Sequence, residues 1–405
     1  MSDKKVFKIG VMGLKRGGPF AKVFNTAFED STVTAVCENN PEVIEEFKKK
    51  CPNIKIYTDF DEFINSGLDA VMLANNFHEH CECAIKAMEL GIAVLSETTA
   101  APSLGDCVRL VETAERTNGK YMLAANCLYF PAVHAMKDKL ESGEYGEILY
   151  GEAEYIHGPD GTGSPKSYEL DLDNLHWRQT LPTCYYNMHS LGPLMYVTNS
   201  VPVKVSCKAF KNGDRHKEKG TMKDSPGAIV ITEMDNGAIF NTTGCNNYRP
   251  TSKWYRIACE NATLETLRYD GHEERLMIVD RGEVVGNTYY DWVTSGVVKG
   301  DEYTRGEAEK TGHGGVDYFV AYYFLKYLKG EQEPFLDVYR SAALSATGIL
   351  AWYSALSDST EYKVPDFKKK EDRDEVRGDF RSPFAKSYKD LTLPSMLKDR
   401  DNFKR

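Results

Sequence analysis

Tyr186 and His189, in the stretch YYNMHSLGP, have the types and the spacing to handle a proton on one ligand. Positions i and i+3 of a helix share a face, so a phenol and an imidazole could both point at one hydroxyl group. Histidine titrates near neutral pH, and a tyrosine becomes a usable base once a nearby cation lowers its pKa. Arg178, upstream in HWR, could be that cation or could orient a ligand's hydroxyl groups. Tyr155 and His157 alternate as on a strand, which puts them on one face. His176 stands beside Trp177, and His313 opens the triplet HGG. On spacing alone, the same letters also describe core aromatics, histidines that cap local backbone and the start of a helix. No CxxC and no Cys/His set with zinc spacing occurs, so no metal is expected.

The elements upstream form a different pattern. The opening VFKIGVMGLKRGGPFAKVF reads as an apolar strand, a glycine-rich turn and a helix. In that order, N–H groups at the helix start hold a pyrophosphate. Gly13 and Gly18 match the first and third glycines of GxGxxG, Lys15 takes the second place, and Leu14 and Arg16 complete the turn. Lys15 either shifts the turn or sets its ammonium on the pyrophosphate. Glu38 ends the next strand, 25 positions after Gly13. An acid there accepts from a ribose 2′-hydroxyl and repels a 2′-phosphate, which favours NAD over NADP. Strands and helices then alternate as far as KYMLAAN, implying βαβ units and a parallel sheet. Ligands bind beyond the carboxyl ends of such strands, where Asn75, Asn76, Glu97, Thr98 and Asn126 fall. The expectation is an α/β domain over residues 1–126, a doubly wound parallel Rossmann sheet that binds NAD.

From residue 127 the pattern changes. GEILYGEAEYIHG alternates as a half-buried strand would. VPVKVSCKAF, GAIVITEMD, GAIFNTTGC, KWYRIACE, ATLETLRYD and RLMIVD follow in close succession. Strands in series predict an α+β domain over 127–366 with an open, mostly antiparallel sheet. DYFVAYYFLKYLKG and RSAALSATGILAWYSALS carry helical apolar spacing. Residues 367–405 are charge-dense and read as a solvated extension or a strap over a partner subunit.

The 405 residues hold 60 acidic against 50 basic side chains, a formal charge of −10 that argues against a nucleic-acid partner. No apolar run approaches the roughly 18 residues of a membrane span. The opening has no basic leader followed by an apolar core, so an unsecreted, cytoplasmic protein is expected. Ten scattered cysteines fit free thiols in a reducing compartment.

Over roughly residues 6 to 366 the order of pieces resembles the Gfo/Idh/MocA oxidoreductases. The likeness rests on the glycine turn, Glu38, NNFHEH with His80 at the family's histidine position, and VLSE. Where that family continues Glu-Lys-Pro, this chain has Glu97 followed by Thr98 and Thr99. ANCLY, GEILYGEAEYIHG, HWR, YYNMHSLGP, HGGVDYF, DVYRSA and VPDF look closest to the NAD-dependent glycosidases typified by α-N-acetylgalactosaminidases. The resemblance implies a cofactor, NAD, bound by Gly13 to Arg16, Gly18, Glu38, Asn75, Asn76, His80, Glu97, Thr98 and Asn126. It implies Tyr186 and His189 as catalytic residues, and Tyr155, His157, His176, Arg178 and His313 as contacts to a small carbohydrate. The reaction implied takes hydride from the carbon bearing the 3-hydroxyl; the ketone acidifies the neighbouring C–H, the aglycone leaves, water adds and the hydride returns. A plain sugar dehydrogenase is the alternative. A non-catalytic dinucleotide-binding protein is a further one, since the lysine and the second glycine are missing. Family habit implies a homo-oligomer, a dimer or tetramer.

Overall fold

The computed structural model describes residues 5–156, 171–211, 225–245, 251–268, 275–290 and 311–403. They fall into two compact units. The first takes in 5–101, 106–126 and 311–342; the second holds the remaining described residues.

The first unit alternates strands and helices: β1 (Phe7–Met12), α1 (Leu14–Thr26), β2 (Ser31–Cys37), α2 (Pro41–Lys50), β3 (Lys55–Tyr57), α3 (Phe60–Ile64), β4 (Ala70–Leu73), α4 (His80–Glu89), β5 (Ala93–Ser96), α5 (Leu104–Thr117) and β6 (Tyr121–Leu123). Every residue of β4 and β5 is buried, as in a parallel sheet covered on both faces. The sheet is six-stranded and parallel throughout, in the order β3-β2-β1-β4-β5-β6. Its connections reverse direction between β1 and β4, the crevice where ligands of doubly wound sheets bind. Local signals set the helix starts: Asn40 caps α2 through the N–H groups of Glu42 and Val43, ahead of Pro41. A helix from far along the chain, Val316–Lys329, also belongs to this unit. Its Phe324 meets Phe24 of α1 edge-on at 6.5 Å, and its Lys329 pairs with Asp30 at 3.1 Å.

The second unit is built on a nine-stranded sheet. Its strands are β7 (Ile148–Ile156), β8 (Pro202–Ala209), β9 (Gly227–Met234), β10 (Ile239–Cys245), β11 (Ser252–Cys259), β12 (Ala262–Thr266), β13 (Arg275–Asp280), β14 (Glu283–Tyr289) and β15 (Tyr362–Lys363). The order is β14-β13-β12-β11-β7-β10-β9-β8-β15, and only β7 and β10 run parallel. Alternation along β7 and β11 sends Ala153, Tyr155, Tyr255 and Ile257 to a buried face. Ile229, Ile231 and Ile239, on β9 and β10, are exposed by contrast. Helices α6 (Pro131–Glu141), α7 (Trp177–Thr180) and α8 (Leu191–Thr198) join this unit, as does most of the long helix Val338–Leu356.

Residues 367–403 pack on their own unit. Phe367 and Leu393 are buried, Trp352 donates from Nε1 to the carbonyl of Pro394 at 2.6 Å, and the Tyr353 hydroxyl reaches Asp379 at 3.1 Å. Among the described residues no helix is long and apolar enough to cross a membrane. The nine cysteines whose side chains are described are free, and all but Cys51 are buried.

Candidate active site

The glycine turn of the first unit is shaped by backbone contact. Gly13 has φ +81°, and a Cβ there would lie 2.3 Å from the carbonyl oxygen of Ala74, on the loop after β4. Only glycine takes that conformation at that separation without strain. The close approach of α1 to the sheet falls on Gly17, where a Cβ would lie 2.6 Å from Val11 Cγ1. At Gly18, the glycine singled out from the motif, a Cβ would meet nothing within 4 Å. Lys15 is exposed on the turn.

Glu38 lies just past β2 and accepts from the Leu14 N–H at 2.9 Å, and from Asn39 and Asn40 N–H at 3.0 Å each. The carboxylate is thereby fixed beside the start of α1. Asn75 and Asn76 both donate to Glu79, at 3.2 and 3.1 Å, while the buried Asn75 Oδ1 has no partner among the described residues. An acceptor left open on the loop beyond β4 fits a ligand that brings a donor. His80, at the start of α4, lies 3.3 Å through Nδ1 from the carbonyl of Thr99. Because a carbonyl only accepts, Nδ1 carries the proton. Burial pulls the His80 pKa down to about 4, so the ring is neutral in use. Asn126 is buried and opens a 3₁₀ turn, Asn126–Tyr129.

Beyond β5 an ionic cluster takes over. Arg16 donates from Nε to Glu97 at 2.7 Å, and from Nη1 and Nη2 to the two oxygens of Asp317 at 2.7 and 3.0 Å. His313 reaches the same Asp317 at 3.0 Å. The Asp317 side chain is fully buried. Burial alone would raise its pKa, but hydrogen bonds from His313 and Arg16, with the guanidinium charge, hold it well below the usual carboxylate range. Thr98 is buried and its N–H donates to Glu97 Oε2 at 3.3 Å; the Thr98–Thr99 peptide is cis. His313, expected beside the sugar contacts, is thus grouped with the first unit and its ion pairs.

In the second unit Tyr186 and His189 lie on a 3₁₀ turn, Thr183–His189, kinked at Tyr186, and not on an α-helix. With Tyr186 outside helical φ/ψ, regular helix spacing does not set the pairing, and the ring separations describe it instead. The two ring centroids are 5.0 Å apart, and Tyr155 of β7 lies 4.3 Å from His189 and 6.1 Å from Tyr186. Tyr186 is half-buried between fully buried neighbours. The turn is pinned from behind. Asn187 donates to the Leu344 carbonyl at 3.0 Å, and Gly348 allows the helix backbone so close that a Cβ would lie 2.7 Å from the Cys184 carbonyl oxygen.

His176 and Arg178 stand together at the start of α7. His176 caps α7, accepting from the Arg178 N–H at 3.3 Å while its own N–H donates to Gln179. The Arg178 guanidinium lies over Trp177 at 4.4 Å. His157 lies outside the described residues.

Sequence reasoning missed two contributors. The Cys127 Sγ is 3.1 Å from His189 Nδ1, and the Tyr255 hydroxyl donates to the His189 carbonyl at 2.9 Å. Tyr255 had a signal in the alternation of β11, which turns it inward. Cys127 had only its place in ANCLY.

Two family models match the chain. Residues 7–125 match the family model for the Gfo/Idh/MocA oxidoreductase family, NAD-binding Rossmann fold, and residues 213–373 match that for the glycosyl hydrolase 109 C-terminal domain. An alpha-N-acetylgalactosaminidase of Shewanella oneidensis is 24% identical over 399 residues, covering 90% of this chain and 85% of its own length. Glycosyl hydrolase family 109 protein 1 of Shewanella sp. (strain ANA-3) is 25% identical with the same coverage. Among solved structures, a levoglucosan dehydrogenase in complex with NADH and levoglucosan superposes with a TM-score of 0.73 at 17% identity, over 89% of this chain and 100% of that one. The WlbA dehydrogenase from Bordetella pertussis, in complex with NADH and UDP-GlcNAcA, gives 0.68 at 15% identity, over 90% and 99%. At such identities the structures share the fold.

Proposed function

We propose, for a chain that joins the NAD-binding Rossmann domain of the Gfo/Idh/MocA oxidoreductases to a glycosyl hydrolase 109 C-terminal domain, an NAD-dependent enzyme that cleaves a glycoside through a transient oxidation. The observation that carries this reading is the Tyr155–Tyr186–His189 cluster, three polar-tipped rings held together by a pinned 3₁₀ turn. It can seat a sugar ring and exchange protons with it.

When bound, NAD supplies an acceptor that takes hydride from the carbon bearing the 3-hydroxyl and later returns it. The glycine turn and the start of α1 would receive the pyrophosphate, Glu38 would accept from the ribose hydroxyl, and Asn75 Oδ1 would offer a further acceptor. Tyr186 and His189 handle the hydroxyl proton, because Thr98 leaves no amine beside Glu97 to do so. Oxidation at that carbon acidifies the neighbouring C–H; a base takes its proton, and the aglycone leaves with the electron pair of its C–O bond and is protonated. Water adds across the resulting enone, its hydroxyl to the anomeric carbon and its proton to the neighbour. Ordinary glycosidases instead use two carboxylates flanking the bond. The relatives named as an alpha-N-acetylgalactosaminidase and a glycosyl hydrolase 109 protein support this reading over most of their length.

A plain sugar dehydrogenase is the second reading, favoured by the shared fold with levoglucosan dehydrogenase. Aryl glycosides and free sugars incubated with the full-length protein and either NAD or NADP separate the two. Aglycone release without net NADH is expected, with NAD preferred. Accumulating NADH would instead establish the dehydrogenase, and no turnover with any sugar would remove both.

Ile229, Ile231 and Ile239 are exposed on the outer face of β9 and β10, beside Glu233, Asn241 and Thr243, and exposed apolar side chains on a sheet face support a homo-oligomer. Light scattering should return at least twice the 45.6 kDa chain mass. A monomer at micromolar concentration removes this assignment.

A further inference from the structure

The proposed reaction puts negative charge on one substrate oxygen twice, as its hydroxyl proton leaves and again when the neighbouring C–H is lost. Thr98 leaves no amine beside Glu97 to meet that charge. The sheet of the second unit carries a cation in its place. β7 and β11 pair antiparallel with Lys253 directly opposite Tyr155, and β10 runs parallel to β7 with Gly244 beside Tyr155. Residues directly opposite in an antiparallel pair share a face, with Cβ atoms about 4.5–5.5 Å apart. One row therefore runs Lys253, Tyr155, Gly244 across three strands. It lies on the face where the Tyr155 ring meets His189 at 4.3 Å and Tyr186 at 6.1 Å.

Neighbours on three sides tie Lys253 to that cluster. At the far end of the row, a Cβ on Gly244 would lie 3.4 Å from the Thr183 carbonyl oxygen, so the turn bearing Tyr186 and His189 rests there. Along β11, Tyr255 stands two residues from Lys253 on the same face, and its hydroxyl donates to the His189 carbonyl at 2.9 Å. Trp254 and Arg256 turn the other way, where Arg256 pairs with Glu152. The Lys253 Nζ lies 4.8 Å from the centre of the Phe130 ring, three residues beyond the Cys127 whose Sγ is 3.1 Å from His189 Nδ1. The ring face holds the ammonium in place, while its half-buried stem leaves the strand opposite Tyr155. All of these residues belong to the second unit.

We propose that Lys253 is a catalytic residue whose ammonium donates to the oxygen on the carbon being oxidised and answers its negative charge. This rests on the function proposed above. In the oxidation the C–H bond breaks and its electron pair leaves as hydride to the cofactor. The hydroxyl proton passes to the tyrosine–histidine pair, the C=O bond forms, and its oxygen accepts from the Lys253 N–H. When a base takes the proton of the neighbouring C–H, that bond's electron pair forms C=C. The carbonyl pair then moves onto oxygen, giving an enolate that faces the ammonium. The C=O bond re-forms as the C=C pair shifts toward the anomeric carbon, and the aglycone leaves with the pair of its C–O bond. Lys253 keeps its protons throughout.

The experiment sets Lys253→Met and Lys253→Arg beside the wild type, as full-length protein loaded with NAD, on an aryl glycoside that the wild type cleaves. Aglycone release gives kcat and KM, rapid-mixing absorbance gives the rate at which NADH forms on the enzyme, and thermal melting checks the fold. Lys253→Met should lower kcat on the order of 10²-fold, the loss expected when one donor to a developing oxyanion is removed, with KM within about threefold of wild type. NADH formation should slow with it. Lys253→Arg keeps the charge and should recover kcat to within about tenfold of wild type. A kcat or an NADH rate in Lys253→Met within about threefold of wild type overturns the proposal. So does a loss in KM alone, or an arginine variant as slow as the methionine one. Should Lys253→Met fail to fold, Lys253→Gln is held to the same outcomes. If the wild type accumulates NADH without releasing aglycone, the glycosidase reading falls and the NADH rate still decides Lys253. A wild type that oxidises no sugar takes the ammonium's role down with the function, whereas an active wild type matched by Lys253→Met overturns the ammonium alone.

Discussion

Tyr186→Phe is expected to lower turnover at saturating substrate by roughly 10²–10³-fold, the range of a positioned acid–base group, while the affinity for NADH stays within about twofold. Phenylalanine keeps the ring that packs 5.0 Å from His189 and 6.1 Å from Tyr155, so the cluster retains its shape and loses only the oxygen. The residues assigned to the dinucleotide lie in the first unit, whereas Tyr186 lies in the second. Steady-state rates set beside a fluorescence titration with NADH give both quantities. Equal loss of rate and affinity would mean that the substitution has damaged the fold. Loss of neither would return Tyr186 to the status of a core aromatic. Thr98→Lys should not be needed for activity; a protein that turns over only as that variant is no enzyme in its natural form.

The second large effect is expected at Arg16. Its guanidinium answers two carboxylates at once, Glu97 and the fully buried Asp317. Removing one member of a buried ion pair typically costs about 3–5 kcal/mol, because the remaining charge is left without its partner. Arg16→Met should therefore lower the melting temperature by on the order of 10 °C at neutral pH. Asp317→Asn added to that variant should recover part of the loss, since it removes the stranded charge. The pH dependence carries the same signature. Burial pushes the Asp317 pKa up, but hydrogen bonds from His313 and Arg16 outweigh it, and the folded value lies below the unfolded one. A depressed folded pKa gives stability that is complete above the unfolded value near about 4 and is lost as pH falls through the folded value. The wild type should lose melting temperature more steeply than Arg16→Met below roughly pH 4. Melting of Arg16→Met within 2–3 °C of wild type would show the cluster to be incidental.

Much of the first unit was legible because its signals are local. Short runs such as AVML of β4 and AVLS of β5 read as covered strands, and Glu38 follows from position at a strand end. The tyrosine–histidine pair lies together as the spacing suggested, with ring centroids 5.0 Å apart, but on a turn kinked at Tyr186 rather than on one face of a helix. The rest depends on distance along the chain. Cys127 and His189 are 62 positions apart, and Arg16 and Asp317 are 301 apart, so no window of sequence joins them. Gly17 and Gly18 are adjacent identical letters, and only the position of Val11 tells which one packs closely. β14 was missed because it is exposed along nearly its whole length and shows no alternation. Residues 367–405 read as solvent-loving since their anchors, Phe367 and Leu393, are far apart among charges.

The return of residues 311–342 to the first unit bears on its stability. A nucleotide-binding half that ended at residue 126 would leave behind Asp317, the counter-ion of its own glycine turn, and Phe324, the neighbour of Phe24. Such a fragment, cut free, should melt below the intact unit, since Arg16 would keep only Glu97 as a partner and Phe24 would lose a ring that packs on it.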